Sequence, residues 1–311
     1  MSDSRRHPEA LLQRLEWTVI RRLDGLLQGD YRTLFRGFGL DLADLREYQL
    51  HDDVRYIDWN VTARLQVPHV REHNEDREIT AWFLLDLSPS VDFGSMQVKK
   101  RTMLTEFTAV LARLLTRRGN RVGAIFYSGS SGYVIPAGSG RRHVLHILSM
   151  LEGQPELPQA PQTDLREFLE HAVRIVRRRA LVFLLSDFIS RPGWEQPLAH
   201  LARRHEMLAV RLSDPLETEL PDLGLIVMRD SETGEQLLID THDRRFRKRF
   251  ARIAEERETQ IRSALRRAGV DTLELSTGDD LTEALIRFAD LRKQHSRLTG
   301  GRAPARMGGA A

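Results

Sequence analysis

The run Ile79–Ser90, ITAWFLLDLSPS, constrains the fold of this chain more than any other stretch. Its first part is made mostly of β-branched, aromatic and leucine residues, which suit a strand covered on both faces, and Pro89 prevents the strand from continuing. Asp86 ends the apolar part, and Ser88 and Ser90 follow at alternate positions. Ligands of open parallel sheets bind at the carboxyl ends of the strands, and small oxygen ligands suit magnesium or calcium. The run therefore predicts a buried strand that leads into a metal-binding loop.

Two more oxygen-bearing residues lie in loops that would face this cluster. Thr163 is in a polar loop just before an amphipathic helix, and Asp187 follows the apolar run 180–186. We therefore add Thr163 and Asp187 to the candidate metal ligands. Simpler interpretations stay open, because Ser, Thr and Asp commonly cap helices and loops. Thr163 could be a helix N-cap, and Asp187 could cap its own loop.

Strand and helix patterns alternate from residue 79 onward. The further predicted strands are 121–127, 132–136, 180–186, 206–212 and 270–275. The predicted helices are 97–118, 141–152, 164–178, 194–204, 242–268 and 280–297. This alternation predicts an α/β fold in which a parallel sheet is wrapped by helices on both sides. Residues 224–240 add two strands joined by a turn, which predicts a hairpin.

The amino-terminal segment predicts a helix but no targeting signal. Apolar residues recur at helical spacing over residues 8–28, so we expect an amphipathic helix that packs either on the core or on a partner. The segment lacks the continuous apolar region of a signal peptide, and no later segment approaches the length of an uncharged membrane span. We expect a cytoplasmic protein with neither.

Composition excludes several classes of site and partner. The 311 residues are 41% hydrophobic, which is enough to bury a sizeable core. The chain has no cysteine, which rules out disulfides, thiolate metal sites and cysteine nucleophiles. Its 47 basic and 44 acidic residues leave a net charge of only +3, so the surface is mixed in sign and does not predict nucleic-acid binding.

Two groups of residues resemble a known family. Asp86-x-Ser88-x-Ser90 with Thr163 and Asp187 looks like the metal-ion-dependent adhesion site of von Willebrand factor A domains. An upstream block is similar to the family called domain of unknown function 58, and it comprises Arg46-Glu47-Tyr48, Asp52-Asp53-Val54-Arg55-Tyr56-Ile57-Asp58-Trp59 and Thr62-Ala63-Arg64. The resemblance covers roughly residues 35–240. The chain departs from the family pattern at His51, in place of a glycine, and at Val91, in place of a methionine, and neither change removes a ligand oxygen.

The resemblance implies a von Willebrand factor A-like, Rossmann-type fold. This is a doubly wound, mostly parallel sheet with an N-terminal helical and extended subdomain and an inserted β-hairpin. The implied division is an amphipathic helix at 1–34, a family-specific block at 35–78 and the A-like domain at 79–297, with the hairpin near 224–240. Residues 298–311 are rich in Gly and Ala, and we expect them to form a disordered tail.

The resemblance also implies a function. The five site residues would bind a divalent metal ion, with magnesium the expected ion and manganese or calcium as alternatives. Two carboxylates about cancel the charge of the ion, and a position stays open for water or for a carboxylate of another protein. The implied function is a non-enzymatic, metal-dependent protein-binding module. Its expected partners are a MoxR-type AAA+ ATPase and a client protein complex that the pair assembles or activates in a chaperone-like manner.

Two other functions stay open. A metal-dependent hydrolase would use Asp52, Asp53 and Asp58 together with Asp86, although the chain contains no HExxH, phosphate-cradling glycine loop, GxSxG or CxxC motif. An RNA-binding A-type module would show an affinity that falls steeply with salt.

Overall fold

The computed structural model describes residues 8–26, 45–49, 54, 57, 59–71, 79–95, 98–129, 132–155, 163–229 and 236–289. The chain divides into two units, one of residues 1–29 with 79–286 and the other of residues 30–78 with 287–311. The acids of the hydrolase alternative, Asp52, Asp53 and Asp58, lie outside the described residues, as does the predicted tail 298–311.

The amino-terminal segment is helical, as its apolar spacing predicts. Helix α1 (Pro8–Leu15) continues through a π-helical turn (Glu16–Ile20) into α2 (Arg21–Leu26). Among the side chains that the structure describes in this segment, the buried ones are all apolar: Leu11, Leu12, Leu15, Val19, Ile20 and Leu23. Glu16 also forms an ion pair with Arg113, on the first helix that covers the sheet. The segment therefore packs on the core of its own chain, which the sequence left undecided between the core and a partner.

The second unit contributes three short described elements. Strand β1 (Leu45–Glu47) pairs antiparallel with β2 (His69–Arg71), and helix α3 (Trp59–Leu65) precedes β2. These elements belong to the predicted family-specific block.

A six-stranded sheet forms the centre of the first unit. In the spatial order β10-β7-β6-β3-β4-β5, its members are β3 (Thr80–Asp86), β4 (Arg121–Tyr127), β5 (Tyr133–Gly138), β6 (Leu181–Ser186), β7 (Glu206–Ser213) and β10 (Asp271–Ser276). Within this sheet, the strands run parallel except for β5, which pairs antiparallel with β4 at one edge. The chain fills the sheet on one side of β3 and then on the other. This is the doubly wound, mostly parallel α/β fold that the sequence predicts.

Helices cover both faces of the sheet. They are α4 (Lys100–Thr116), α5 (Gly140–Glu152), α6 (Leu165–Ile175), α7 (Glu195–Arg204) and α8 (Arg244–Arg267). On one face, Phe83 and Phe183 are paired in register on β3 and β6, and their rings stack with centroids 5.0 Å apart. On the other face, Leu84 and Leu184 join a core formed with α6, α7 and α8. Since β3 and β6 are buried on both faces, polar residues are confined to their ends.

The predicted hairpin is present as a separate element. Strands β8 (Leu225–Arg229) and β9 (Gln236–Asp240) pair antiparallel, and within the described residues they pair with no other strand. Helix α8 begins soon after β9 ends. In the part of the chain that the structure describes, no helix combines the length and the apolar character needed to cross a bilayer.

Candidate metal centre

All five predicted ligands lie at the carboxyl edge of the sheet. Asp86 ends β3, and Asp187 follows the neighbouring strand β6. Ser88 and Ser90 lie in the loop after β3, Thr163 lies just before α6, and none of the five residues is more than 2% exposed. Between β3 and β6 the strand order reverses, because the chain adds β4 on one side of β3 and β6 on the other. A reversal of this kind leaves a crevice outside the strand ends, where open α/β sheets bind ligands.

Two hydrogen bonds orient Asp86. The backbone N–H of Ser88 donates to Oδ1 (3.0 Å), and the hydroxyl of Ser186 donates to Oδ2 (2.6 Å). The hydroxyl oxygens of Ser88 and Ser90 are 3.1 Å apart, and Ser90 lies in a short 3-10 turn that begins at Pro89. A carboxylate oxygen has two lone pairs, so each oxygen of Asp86 keeps the capacity to bind a cation.

Thr163 is tied to the loop that follows β6. Its carbonyl accepts hydrogen bonds from the Ser190 hydroxyl and from the Arg191 N–H, both at 3.0 Å. The N-cap of α6 is Asp164, whose carboxylate accepts from the N–H of Glu167 (3.1 Å). The interpretation of Thr163 as the helix cap is therefore wrong, because the neighbouring aspartate fills that position.

Asp187 has two different hydrogen-bond partners. Oδ1 accepts from the N–H of Ile189 (3.0 Å), which is the loop-capping role, and Oδ2 accepts from the ammonium of Lys100 (2.7 Å). The next residue, Phe188, has a φ of 60°, a backbone conformation that residues with side chains rarely adopt. Its buried ring packs against Trp194 with the ring centroids 5.2 Å apart. This packing holds the strained turn that positions Asp187.

Lys100, at the start of α4, belongs to the site but carries no signal in the sequence. Its side chain is fully buried, and its ammonium also contacts Glu217 at 2.6 Å. Burial acts to lower the pKa of Lys100, but the charges of Asp187 and Glu217 outweigh burial and raise that pKa. A lysine in the first turn of an amphipathic helix is ordinarily solvated, so sequence reasoning missed it. Glu217 and Ser186 were missed because their roles depend on partners distant in the chain.

The site carries a net negative charge. The site contains three carboxylates, those of Asp86, Asp187 and Glu217, and the one ammonium of Lys100, which contacts the last two, so the formal sum is about −2. Burial and the charge of Asp187 raise the pKa of Asp86 to about 6. Burial also raises the pKa of Glu217, although Lys100 acts in the opposite direction. A divalent cation would neutralise this group of charges.

The donor set fits a hard divalent ion. Magnesium, manganese and calcium prefer carboxylate, hydroxyl and water oxygens. Among the described residues, no three His, Cys, Asp or Glu side chains are grouped so that they could hold a metal ion by themselves. A metal ion at this edge would therefore depend on the hydroxyls of Ser88, Ser90 and Thr163 as well as on Asp86 and Asp187.

A further buried carboxylate joins three loops of the same edge. Asp214 follows β7, and its Oδ2 accepts from the N–H of Ser95 (2.8 Å) and from the hydroxyl of Thr277 (2.6 Å). Burial acts to raise the pKa of Asp214, but these hydrogen bonds outweigh it and lower that pKa. Asp214 thus connects the loops after β3, β7 and β10 and forms part of the frame around the candidate site.

Comparisons with known proteins bear out the family resemblance. Residues 44–260 match the model of a family described as protein of unknown function DUF58. The uncharacterized protein Rv1480 of Mycobacterium tuberculosis is 37% identical over 287 residues, which are 92% of this chain and 90% of that protein. An aerotolerance-related membrane protein of Bacteroides fragilis aligns with a TM-score of 0.45 and 12% identity, over 70% of this chain and 99% of that one. The VWA domain of SpRpn10 aligns with a TM-score of 0.36 and 13% identity, over 76% of this chain and 100% of that one.

Replacing Lys100 with methionine should destabilise the protein by about 3–5 kcal/mol, because Asp187 would stay buried, and Glu217 mostly buried, without their counter-charge. The matched control is Lys99→Met, a change at the exposed neighbouring position, which should alter the free energy of unfolding by no more than about 0.5 kcal/mol. Urea unfolding followed by circular dichroism measures both. Equal effects of the two substitutions would contradict the central role of this ion pair.

Asp86→Asn should relieve a pH-dependent loss of stability in the metal-free protein. The pKa of Asp86 is raised from 3.8 to about 6, so the folded protein binds this proton more tightly than the unfolded chain does, and stability falls as the pH rises through that interval. In EDTA, the free energy of unfolding of wild type should therefore fall by up to about 3 kcal/mol, relative to that of Asp86→Asn, between about pH 4 and pH 7. Urea unfolding across this range tests the difference, and parallel pH profiles would disprove it.

Proposed function

The chain belongs to the DUF58 family, and from its carboxyl-edge site we propose that it is a metal-dependent protein-binding module. In this proposal Asp86, Ser88, Ser90, Thr163 and Asp187 hold a divalent ion, and the chain itself catalyses no reaction. The observation that carries the proposal is the group of buried carboxylate and hydroxyl oxygens, with a formal charge of about −2, at the switch point of the sheet.

The bound ion would supply a positive charge with a coordination position open to a carboxylate of another protein. The chain's own residues prepare that position. The Ser186 hydroxyl and the Ser88 N–H fix the orientation of Asp86. Lys100 holds Asp187 in place through a buried ion pair. Because the ligands are buried, water screens their charges less than it would at the surface, and the attraction for an incoming acid is correspondingly stronger.

Magnesium is the ion we propose. It takes six oxygen ligands and is usually bound through one or two carboxylates, so two carboxylates and three hydroxyls would leave one position for water or for an incoming acid. Manganese takes similar oxygen ligands and is the first alternative. Calcium takes six to eight oxygens, more than these five residues offer in monodentate contact.

The partner we propose is a MoxR-type AAA+ ATPase. Membership of the DUF58 family supports this choice, through the association that the upstream block implies. The pair would act in a chaperone-like manner on a client protein complex, which it would assemble or activate. Because such an ATPase requires ATP, the proposal places the pair in the cytoplasm.

Magnesium or manganese should stabilise wild type, by about 2.7 kcal/mol when the free ion is at about one hundred times its Kd. Asp86→Ala should abolish this gain, since it removes a ligand carboxylate. The control is Asp92→Asn, which changes an acid of the same loop that pairs with Arg101 instead and should leave the gain intact. Thermal unfolding with the metal, and again with EDTA, measures the effect. An undiminished gain in Asp86→Ala would mean that the ion binds elsewhere.

A purified MoxR-type ATPase encoded in the same genome should bind wild type in magnesium and should not bind Asp86→Ala under the same conditions. Both titrations are made in magnesium, because the nucleotide site of the ATPase also depends on this ion and must be in the same state in each. Isothermal titration calorimetry measures the affinity. Equal affinity for the two proteins would reject a metal-bridged contact. Metal-dependent stabilisation without any binding of the ATPase would reject this partner and retain the metal site.

A further inference from the structure

The hairpin presents an exposed apolar surface that nothing in the described residues covers. Val227 lies directly opposite Leu238, and Leu225 lies two residues from Val227, so the three share one face of the hairpin. Their exposed fractions are 68% for Leu225, 61% for Val227 and 70% for Leu238. A two-stranded hairpin is marginally stable by itself, and exposed aliphatic side chains do not help it fold. We call these three residues the apolar hairpin face.

The helix that follows the hairpin begins with a group of exposed positive charges. Arg244, Arg245, Lys248 and Arg249 are exposed, and among the described residues none of the four forms an ion pair. They lie at i, i+4 spacing, where like charges repel, and in the first turns of α8, where the helix dipole disfavours cations. Each charge therefore acts against the stability of the free protein. We call these four residues the basic stripe.

Both features lie toward the end of the sheet that carries the candidate metal centre. Strand β7 ends at this edge, and Glu217, shortly after it, contacts Lys100 beside Asp187. The chain then enters the hairpin, whose base is closed by hydrogen bonds between Thr241 and Gly224. Helix α8 starts immediately beyond this base and must run back to the amino edge, because β10 is parallel to β7. The basic stripe is at the carboxyl-edge end of the helix.

We propose that the apolar hairpin face and the basic stripe together form a docking surface for an extended protein segment in which apolar and acidic residues alternate. The inference rests on the proposed function, since this segment would belong to the protein that supplies a carboxylate to the metal ion. Apolar side chains of the segment cover the hairpin face, and its acids neutralise the stripe.

The composition of the hairpin favours a protein over a membrane or a nucleic acid. Residues 225–240 contain no Trp or Tyr, which are enriched where proteins meet the membrane interface. The apolar hairpin face is aliphatic and offers no aromatic ring on which a base could stack. A protein segment with apolar and acidic side chains needs no aromatic contact.

The test uses a fluorescent peptide of alternating Leu and Glu, and measures its binding to the full chain by anisotropy. Two variants remove one part of the surface each: Val227→Thr/Leu238→Thr, which keeps good strand formers, and Lys248→Gln/Arg249→Gln. The matched control is Arg266→Gln/Arg267→Gln, at the exposed far end of the same helix. Urea unfolding establishes that all variants are folded.

Wild type and the control should bind the peptide alike, in magnesium and in EDTA, and each surface variant should bind it about tenfold more weakly. A peptide of alternating Leu and Lys should not bind. Failure of wild type to bind the Leu-Glu peptide, or equal affinities of all variants, would overturn the docking surface. Binding to phosphatidylglycerol vesicles in place of the peptide would also overturn it and assign the surface to a membrane. Because this contact needs no metal, these outcomes are independent of whether magnesium stabilises wild type.

Discussion

The buried ammonium of Lys100 is the interaction on which the carboxyl edge depends. It extends from the first turn of α4 and contacts Asp187 after β6 and Glu217 after β7, so one charge joins three separate segments. A buried ion pair adds little net stability, but breaking one leaves an uncompensated charge in the interior. No segment can therefore move away alone without a large cost in free energy. The edge is fixed before any ligand arrives, and a preorganised site of this kind loses less free energy to ordering on binding.

The burial of the central strands restricts oxygen-bearing side chains to the strand ends. Strands β3 and β6 are covered on both faces, and each has apolar side chains between its first and last residues. Asp86 and Ser186 are those last residues, and they hydrogen-bond to each other across the two strands. The interior thus changes from wholly apolar to oxygen-lined within a single residue step. Because the strand order reverses at this point, the loops that follow diverge and leave the oxygens beside a crevice.

The sequence could predict the features whose signal lies in neighbouring residues. Asp86, Ser88 and Ser90 follow an apolar run, and the alternation of strands and helices orders the sheet. Lys100 could not be predicted, because its partners are 87 and 117 residues away and its own helix position is typical of a solvated lysine. Helical spacing predicted α1 and α2 but not the surface on which they pack. Periodicity shows which face of a helix is buried, and it does not show what lies against that face. Helix α6 ends at Ile175, before the predicted 178, because Val176 leaves the helical conformation and its side chain enters the core.

The carboxyl edge carries two charge imbalances of opposite sign that form no ion pair with each other in the described part of the chain. Asp187 beside Lys100 is buried and Glu217 is mostly buried, whereas the arginines and lysine at the start of α8 are exposed, and among the described residues no ion pair joins the two groups. In natural proteins, uncompensated charges of this kind occur mainly at functional sites. In the proposed function, a cation with an open position would balance the buried carboxylates and attract an acid, and the exposed imbalance would attract an acid directly. One acidic protein would then satisfy both, and a partner that met only one of them would leave the other charge group uncompensated.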